Sequence, residues 1–302
     1  MIKTSVCPAE GTISYIIYAN GDIYISTGCC LDLTSWKIEE EEIAADNLDN
    51  IHKKIFTDKP IHPGFMPGEF DFCFSAKECP TKNEITCVKV GAGVCNCKCK
   101  MCEVTDMNVN ADYKKRMFFK ILEEYKKHGG YDTLLINICG EIFCWKEEFL
   151  EFIESLTTDH FKEIFVFTNG TLIEDEDIER LKKVKPNVLF EISIDSVQKE
   201  KLESIRIGTN YEKVMNTIIK LKEAGLLKGC NYIIQKENLD ELEEAYEFFK
   251  EKGVETHFIC EREIVFICGH YFDMPKQSIA TDKRRIEFMK RHPDTILFNE
   301  VK

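Results

Sequence analysis

The chain has 302 residues, with 53 acidic against 40 basic side chains and a net charge of −13. That balance argues against a nucleic-acid backbone as the main partner, since phosphate binding calls for a basic surface. It suits a small molecule or a neutral-to-basic peptide. No apolar run approaches the roughly 20 residues needed to cross a bilayer, and the start, Met1 to Cys7, lacks the apolar stretch of a secretion signal. The expected setting is therefore cytoplasmic, without a membrane partner. There, thiols stay reduced, and 15 cysteines favour metal over disulfides.

In chain order, Ile13–Tyr18 and Asp22–Ser26 flank Ala19-Asn20-Gly21. Asn-Gly between two aromatic, β-branched runs predicts a hairpin. A polar helix is expected over Ala45–Ile55, then a proline-rich linker from Pro60 to Gly68. From residue 84 the pattern changes. Strands are expected at Ile85–Val90, Thr133–Ile138, Glu163–Phe167, Val188–Ile194, Asn231–Ile234 and Thr256–Ile259. Helices are expected between them at Asp112–Lys127, Lys146–Leu156, Asp175–Leu181, Tyr211–Ala224 and Leu239–Lys252, with Asp282–Arg291 after the apolar segment Ile264–Cys268. Strands alternating with helices point to βα units and a parallel sheet. Six units are too few to close an eight-stranded barrel. Two segments follow from this change of pattern: residues 1–83 as a small hairpin and loop-rich module, and residues 84–302 as the α/β domain.

Directly after the strand at Ile85–Val90 come Cys95, Cys99 and Cys102, spaced C-x3-C-x2-C. Three thiolates hold three corners of a cubane iron–sulfur cluster and leave the fourth iron to a ligand that is not protein, whereas electron-transfer clusters normally have four cysteines. The alternative is zinc, but zinc sites favour paired C-x2-C knuckles closed by four ligands. Asn96, Lys98 and Lys100 make the segment a polar loop, and Cys97 within it is read as a bystander.

This motif, with the apolar Met101 before its last cysteine, resembles the radical S-adenosylmethionine (radical SAM) superfamily. The resemblance spans residues 85 to about 260 and implies an open partial (β/α)6 barrel of the TIM type. It also implies a [4Fe–4S] cluster that binds S-adenosylmethionine and cleaves it to a 5′-deoxyadenosyl radical. Gly140 and Glu141, after the second strand, match the family turn that meets the methionine amino group, while Cys139 and Ile142 depart from it. Thr168 and Asn169 end the third strand where such residues face the cofactor. Ser193 and Asp195 fall on one side of the fourth strand, where the family often reaches the ribose. Arg206 resembles the family arginine that pairs with the methionine carboxylate, and Gln235 the polar side chain near the adenosine. Structural readings stand beside these: Glu141 as a first-turn carboxylate, Thr168–Thr171 as a plain turn, Asp195 as a helix cap and Arg206 as a surface residue.

The first 90 residues hold a second set: Cys7, Cys29, Cys30, Cys73, Cys79 and Cys87. The cysteine–hairpin–cysteine opening and the C-x5-C of Cys73 and Cys79 resemble parts of the SPASM module, an auxiliary-cluster domain of radical SAM peptide-modifying enzymes. The departures are its amino-terminal place, a longer stretch from Gly21 to Cys29 and the absence of a full C-x2-C-x5-C-x3-C. The resemblance implies one auxiliary [4Fe–4S] cluster, with Cys7, Cys29, Cys73 and Cys79 as favoured ligands and Cys30 and Cys87 as substitutes. Structural zinc or buried thiols are the alternatives. The expected function is modification of a peptide by radical SAM chemistry with an external electron donor. The other readings are a small-molecule or glycyl-radical-activating radical SAM enzyme, and a non-enzymatic iron–sulfur or zinc protein.

Overall fold

The computed structural model describes residues 12–17, 21–26, 35–57, 85–91, 93–102, 108–136, 140–267 and 270–293. It opens with β1 (Thr12–Ile17), β2 (Ile23–Ser26), β3 (Ser35–Ile38) and α1 (Leu48–Thr57). The first βα units are β4 (Cys87–Val90), β5 (Lys98–Cys99), α2 (Ala111–His128), β6 (Tyr131–Ile136) and α3 (Lys146–Glu154). There follow β7 (Phe161–Thr168), α4 (Asp175–Leu181), β8 (Asn187–Ser193), α5 (Lys199–Ile205), β9 (Arg206–Ile207) and α6 (Tyr211–Glu223). The chain continues through β10 (Leu227–Ile234), α7 (Leu242–Glu251), β11 (Thr256–Cys260), β12 (Arg262–Ile267), β13 (His270–Pro275), α8 (Gln277–Ala280) and α9 (Lys283–Arg291).

Strands β4, β6, β7, β8, β10 and β11 lie side by side in sequence order, every neighbouring pair parallel. An order that never reverses carries every crossover the same way round, and right-handed crossovers then put the helices on one face. The other face is concave. This is the expected six-unit partial barrel. Alternation along each strand separates the two faces. On β7, Ile164, Val166 and Thr168 are buried, while Phe165 and Phe167 are half-buried on the concave side. Ring contacts of Phe258 with Phe288 of α9 place the even-numbered residues of β11 under the helices. Near-continuous apolar runs such as Ile164–Phe167 are what strands covered on both faces require.

The sheet does not stop at β4. β1 pairs with it in parallel, Ile13 opposite Val88 and Tyr15 opposite Val90, and the antiparallel β2 and β3 extend the same sheet to nine strands. The hairpin read from Asn20-Gly21 is thus continuous with the barrel sheet, which runs across the boundary drawn at residues 83 and 84. Strand β3, the β5–β9 ribbon, helix α5 and the β12–β13 hairpin have no counterpart in the sequence reading. The segment Ile264–Cys268 was only apolar there; Arg262–Ile267 is a strand paired antiparallel with His270–Pro275, and so short an apolar run does not distinguish strand from helix.

The added strands share a buried contact with the barrel. The Tyr15 and Tyr125 hydroxyls lie 2.8 Å apart, and His52 Nε2 lies 3.0 Å from the Tyr125 hydroxyl. Burial holds His52 down at about 4, with His128 adding to the effect and Asp49 opposing it. The folded chain therefore keeps a neutral imidazole while the unfolded chain takes a proton near pH 6.5. Stability from this group is complete above that pH and is lost as pH falls toward 4. Between pH 7.5 and 5 the protein is expected to lose about 2 kcal/mol more than its His52→Gln variant. Guanidinium unfolding of both at the two pH values measures the difference; equal losses would remove His52 as the cause.

Candidate functional site

Ligands of parallel βα sheets gather at the carboxyl ends of the strands, and the cysteine loop leaves β4 at that rim. Cys95 and Cys99 are half-buried, Cys102 is exposed, and all three are free thiols. The loop is held from several sides. β5 pairs antiparallel with β9, setting Cys99 opposite Arg206, and the Lys100 amide donates to the Ile205 carbonyl at 2.9 Å. The Cys95 amide donates to Asn108 Oδ1 and its carbonyl accepts from Asn108 Nδ2, both at 3.2 Å. Lys114, buried in α2, donates to the Gly93 carbonyl at 3.1 Å.

Two glycines set how closely the loop is gripped. Gly140 has φ +94, and a Cβ there would lie 2.5 Å from the Val94 carbonyl oxygen. Gly208 has φ +98, and a Cβ would lie 3.0 Å from the Asn96 carbonyl oxygen. Neither position has room for a side chain, and both need the left-handed backbone that glycine tolerates.

Beside Gly140, the Glu141 carboxylate is fully buried. It accepts from Thr168 Oγ1 with both oxygens at 2.9 Å, from the Asn169 amide at 2.7 Å and from the Phe143 amide at 3.1 Å. Burial raises it to about 7, against the pull of these hydrogen bonds. Asn169 in turn links the rim to the loop: its Nδ2 donates to Asn96 Oδ1 at 2.8 Å and to Cys97 Sγ at 3.5 Å, and its Oδ1 accepts from the Thr171 amide at 2.9 Å. Gly140, Glu141, Thr168 and Asn169 are thus gathered at the cysteine loop.

On the far side, Asp195 and Arg206 form a buried ion pair, Oδ2 to Nε 2.6 Å, and Asp195 Oδ1 accepts from the Ile233 amide at 2.8 Å. Burial raises the Asp195 carboxyl, opposed by the arginine. Arg206 also reaches Cys99, Nη1 to Sγ 3.9 Å. So Arg206 is buried rather than a surface residue, and it joins β9 to the thiol loop. Asn238 Nδ2 donates to the Asp195 carbonyl at 2.9 Å. Gln235, just past β10, is 1% exposed, and its Nε2 has no hydrogen-bond partner. Met101 is half-buried beside Cys102, and Ser193 half-buried at the end of β8.

The sequence reading passed over Asn96, Asn108, Lys114, Thr171, Gly208 and Asn238. They support the loop through backbone and second-layer contacts, for which no spacing rule exists. Asn96 carried a signal as a polar residue inside the motif, Thr171 as the end of the turn that begins at Thr168, and Gly208 as part of the run that follows Arg206. Cys97, read as a bystander, is buried, with its sulfur 3.5 Å from Thr209 Oγ1. Cys7, Cys29, Cys30, Cys73, Cys79 and Cys139 lie outside the described residues. Cys87 is half-buried within β4, between Thr12 of β1 and Thr133 of β6.

The residues fit a [4Fe–4S] cluster and its ligand. Cys95, Cys99 and Cys102 are free thiols in one loop, and three thiolates can hold three corners of a cubane. Burial raises the Cys99 thiol to about 11, opposed by Arg206, so metal binding would release protons. The unpartnered Gln235 amide leaves a donor open to a guest.

Comparison with known proteins agrees. The chain is 25% identical over 225 residues to the sporulation killing factor maturation protein SkfB of Bacillus subtilis, covering 70% of this chain and 50% of that protein. It is 23% identical over 204 residues to GTP 3′,8-cyclase of Marinobacter nauticus, covering 67% of this chain and 60% of the cyclase. The chain thus spans about half to three-fifths of these relatives. The structure of native anSMEcpe with bound AdoMet and Cp18Cys peptide shares the fold at a TM-score of 0.52, 22% identity, 69% of this chain and 58% of that one. The Radical SAM superfamily model matches residues 90–249, from the end of β4 through most of α7. That stretch contains the cysteine loop, the buried glutamate and the Asp195–Arg206 pair, and this chain belongs to the Radical SAM superfamily.

Proposed function

We propose that this chain is an enzyme that holds a [4Fe–4S] cluster through Cys95, Cys99 and Cys102, binds S-adenosylmethionine beside it and modifies a peptide. The observation that carries this reading is the three-cysteine loop at the barrel rim, gripped by Gly140 and Gly208 and facing a buried carboxylate and a buried ion pair. When bound, the cluster and its ligand supply the reductive cleavage that yields a 5′-deoxyadenosyl radical; the hard chemistry belongs to the cofactor. The chain's own residues position and shield. Glu141, fixed by Thr168 and Asn169, offers a carboxyl for the methionine amino group. Arg206 offers charge for the carboxylate, Asp195 and Ser193 meet the ribose, and Gln235 donates toward the adenosine. Met101 covers the loop beside Cys102.

The peptide substrate rests on the alignment with SkfB, named as a maturation protein, and on the SPASM-like cysteines. Of those, Cys7, Cys29, Cys73 and Cys79, with Cys30 and Cys87 as substitutes, are the proposed ligands of an auxiliary cluster of the amino-terminal module, residues 1–83, with Cys87 reaching it from β4. Residues 84–302 form the catalytic unit, fed by an external electron donor in the cytoplasm. Among the described residues no helix is long and apolar enough to cross a membrane. A small-molecule substrate is the second reading, favoured by the alignment with GTP 3′,8-cyclase.

The test is anaerobic reconstitution followed by dithionite and S-adenosylmethionine. Formation of 5′-deoxyadenosine supports the enzyme; an intact cluster that forms none overturns it. Adding candidate substrate peptides should then give a product of altered mass.

A further inference from the structure

The cysteine loop has an outer face as well as an inner one. Residues directly opposite each other in an antiparallel ribbon point to the same side. In the β5–β9 ribbon Cys99 stands opposite Arg206. Both turn inward: Arg206 is buried, and its Nη1 lies 3.9 Å from the Cys99 sulfur. Lys98 stands opposite Ile207. Both turn outward, Lys98 exposed and Ile207 50% exposed. Lys100, next after Cys99, is exposed as well. Among the described residues neither lysine forms an ion pair.

Charge and apolar exposure together set this face apart from an ordinary solvated loop. The described stretches that build it, residues 93–102 and 204–210, carry Lys98, Lys100 and Arg206 and no aspartate or glutamate, on a chain with 53 acidic against 40 basic side chains. A single exposed apolar side chain is normal. Yet among the described residues the large apolar side chains that stand well exposed are Val109, Ile207 and Ile219, and two of these flank the cysteine loop. Ile207 does so from β9, and Val109 follows Asn108, which bonds the Cys95 backbone. Cys102 itself is exposed. On an otherwise acidic molecule, such a spot fixes where an anionic protein can land.

We propose that the outer face of the β5–β9 ribbon, with Lys98, Lys100 and Ile207, is the docking surface for an acidic flavoprotein that carries single electrons. Lys98 and Lys100 pair with carboxylates around the partner's flavin, and Ile207 meets the flavin's apolar dimethylbenzene edge. One electron then crosses the ribbon to the cluster that the loop holds. The anionic flavin hydroquinone becomes the neutral semiquinone, so no proton has to move. So small a face suits the transient complexes of electron carriers, which bury less than about 1,200 Å². The proposal rests on the reading that Cys95, Cys99 and Cys102 hold the cluster, and it gives the external electron donor a place and a chemistry.

The test uses the reconstituted full chain, its Lys98→Glu/Lys100→Glu variant and Ile207→Glu, with circular dichroism and iron content reporting that each is folded and loaded. The probe is a flavodoxin, an acidic flavin carrier, and calorimetry reads its binding without turnover. The parent is expected to bind it. Both variants should bind about tenfold more weakly or worse, and for the lysine variant the gap should close at high salt. Dithionite, which needs no docking, should give 5′-deoxyadenosine equally fast in parent and lysine variant. Equal binding by parent and variants, or none by the parent, overturns the surface. Tighter binding of a plant-type [2Fe–2S] ferredoxin overturns the flavin partner. If dithionite yields 5′-deoxyadenosine while flavodoxin does not bind, only this surface falls; failure with dithionite overturns the enzyme reading and the surface with it.

Discussion

Cys99→Ala is expected to drop 5′-deoxyadenosine formation at least a hundredfold, to the uncatalysed background, and to lower the iron bound after reconstitution. Cys97→Ala should keep both within a few-fold of the parent. The contrast matters because the two sulfurs sit two residues apart in one gripped loop. Cys99 faces Arg206 across the β5–β9 ribbon, whereas Cys97 is turned into Thr209 and Asn169. Loss of a cubane corner removes the cofactor, so the effect is all-or-none. Loss of Cys97 removes a small buried side chain and weak sulfur contacts. Chromatographic assay of the nucleoside, with iron analysis of each protein, decides it. Equal loss in both variants would mean that the loop tolerates no change, or that Cys97 is itself a ligand.

The second large effect concerns stability. Asp195→Ala should cost about 3–5 kcal/mol, the usual penalty for stranding one member of a buried ion pair. Arg206 would keep a buried guanidinium without its carboxylate, and the Ile233 amide would lose its acceptor. The double variant Asp195→Ala with Arg206→Met should recover most of this, because a buried pair as a whole adds little net stability. Guanidinium melts of the parent, single and double variants measure both steps. A single variant within 1 kcal/mol of the parent would show that water reaches Arg206 and that the pair is not truly desolvated.

Much of this site was legible in the sequence, and the reason is physical. The cysteine spacing, the ends of β6, β7 and β8, and Arg206 all sit where a parallel βα repeat must present its loops. Helices with strong one-sided patterning fell within a few residues of their places: Asp175–Leu181 is α4, and Tyr211–Glu223 is α6. What escaped was non-local. The pairing of β1 with β4 joins segments far apart in the chain, and no local pattern reports which edge a hairpin will join. The β5–β9 ribbon is too short to have a period.

The sheet's continuation through β1 also bears on how this chain can be cut. The β4 edge carries backbone amides and carbonyls that Thr12–Tyr15 now occupies. A fragment beginning near residue 84 would keep every proposed cofactor contact yet present that row bare, and bare rows recruit foreign strands. Excising the amino-terminal quarter would therefore yield a sticky, self-associating fragment rather than a minimal catalyst.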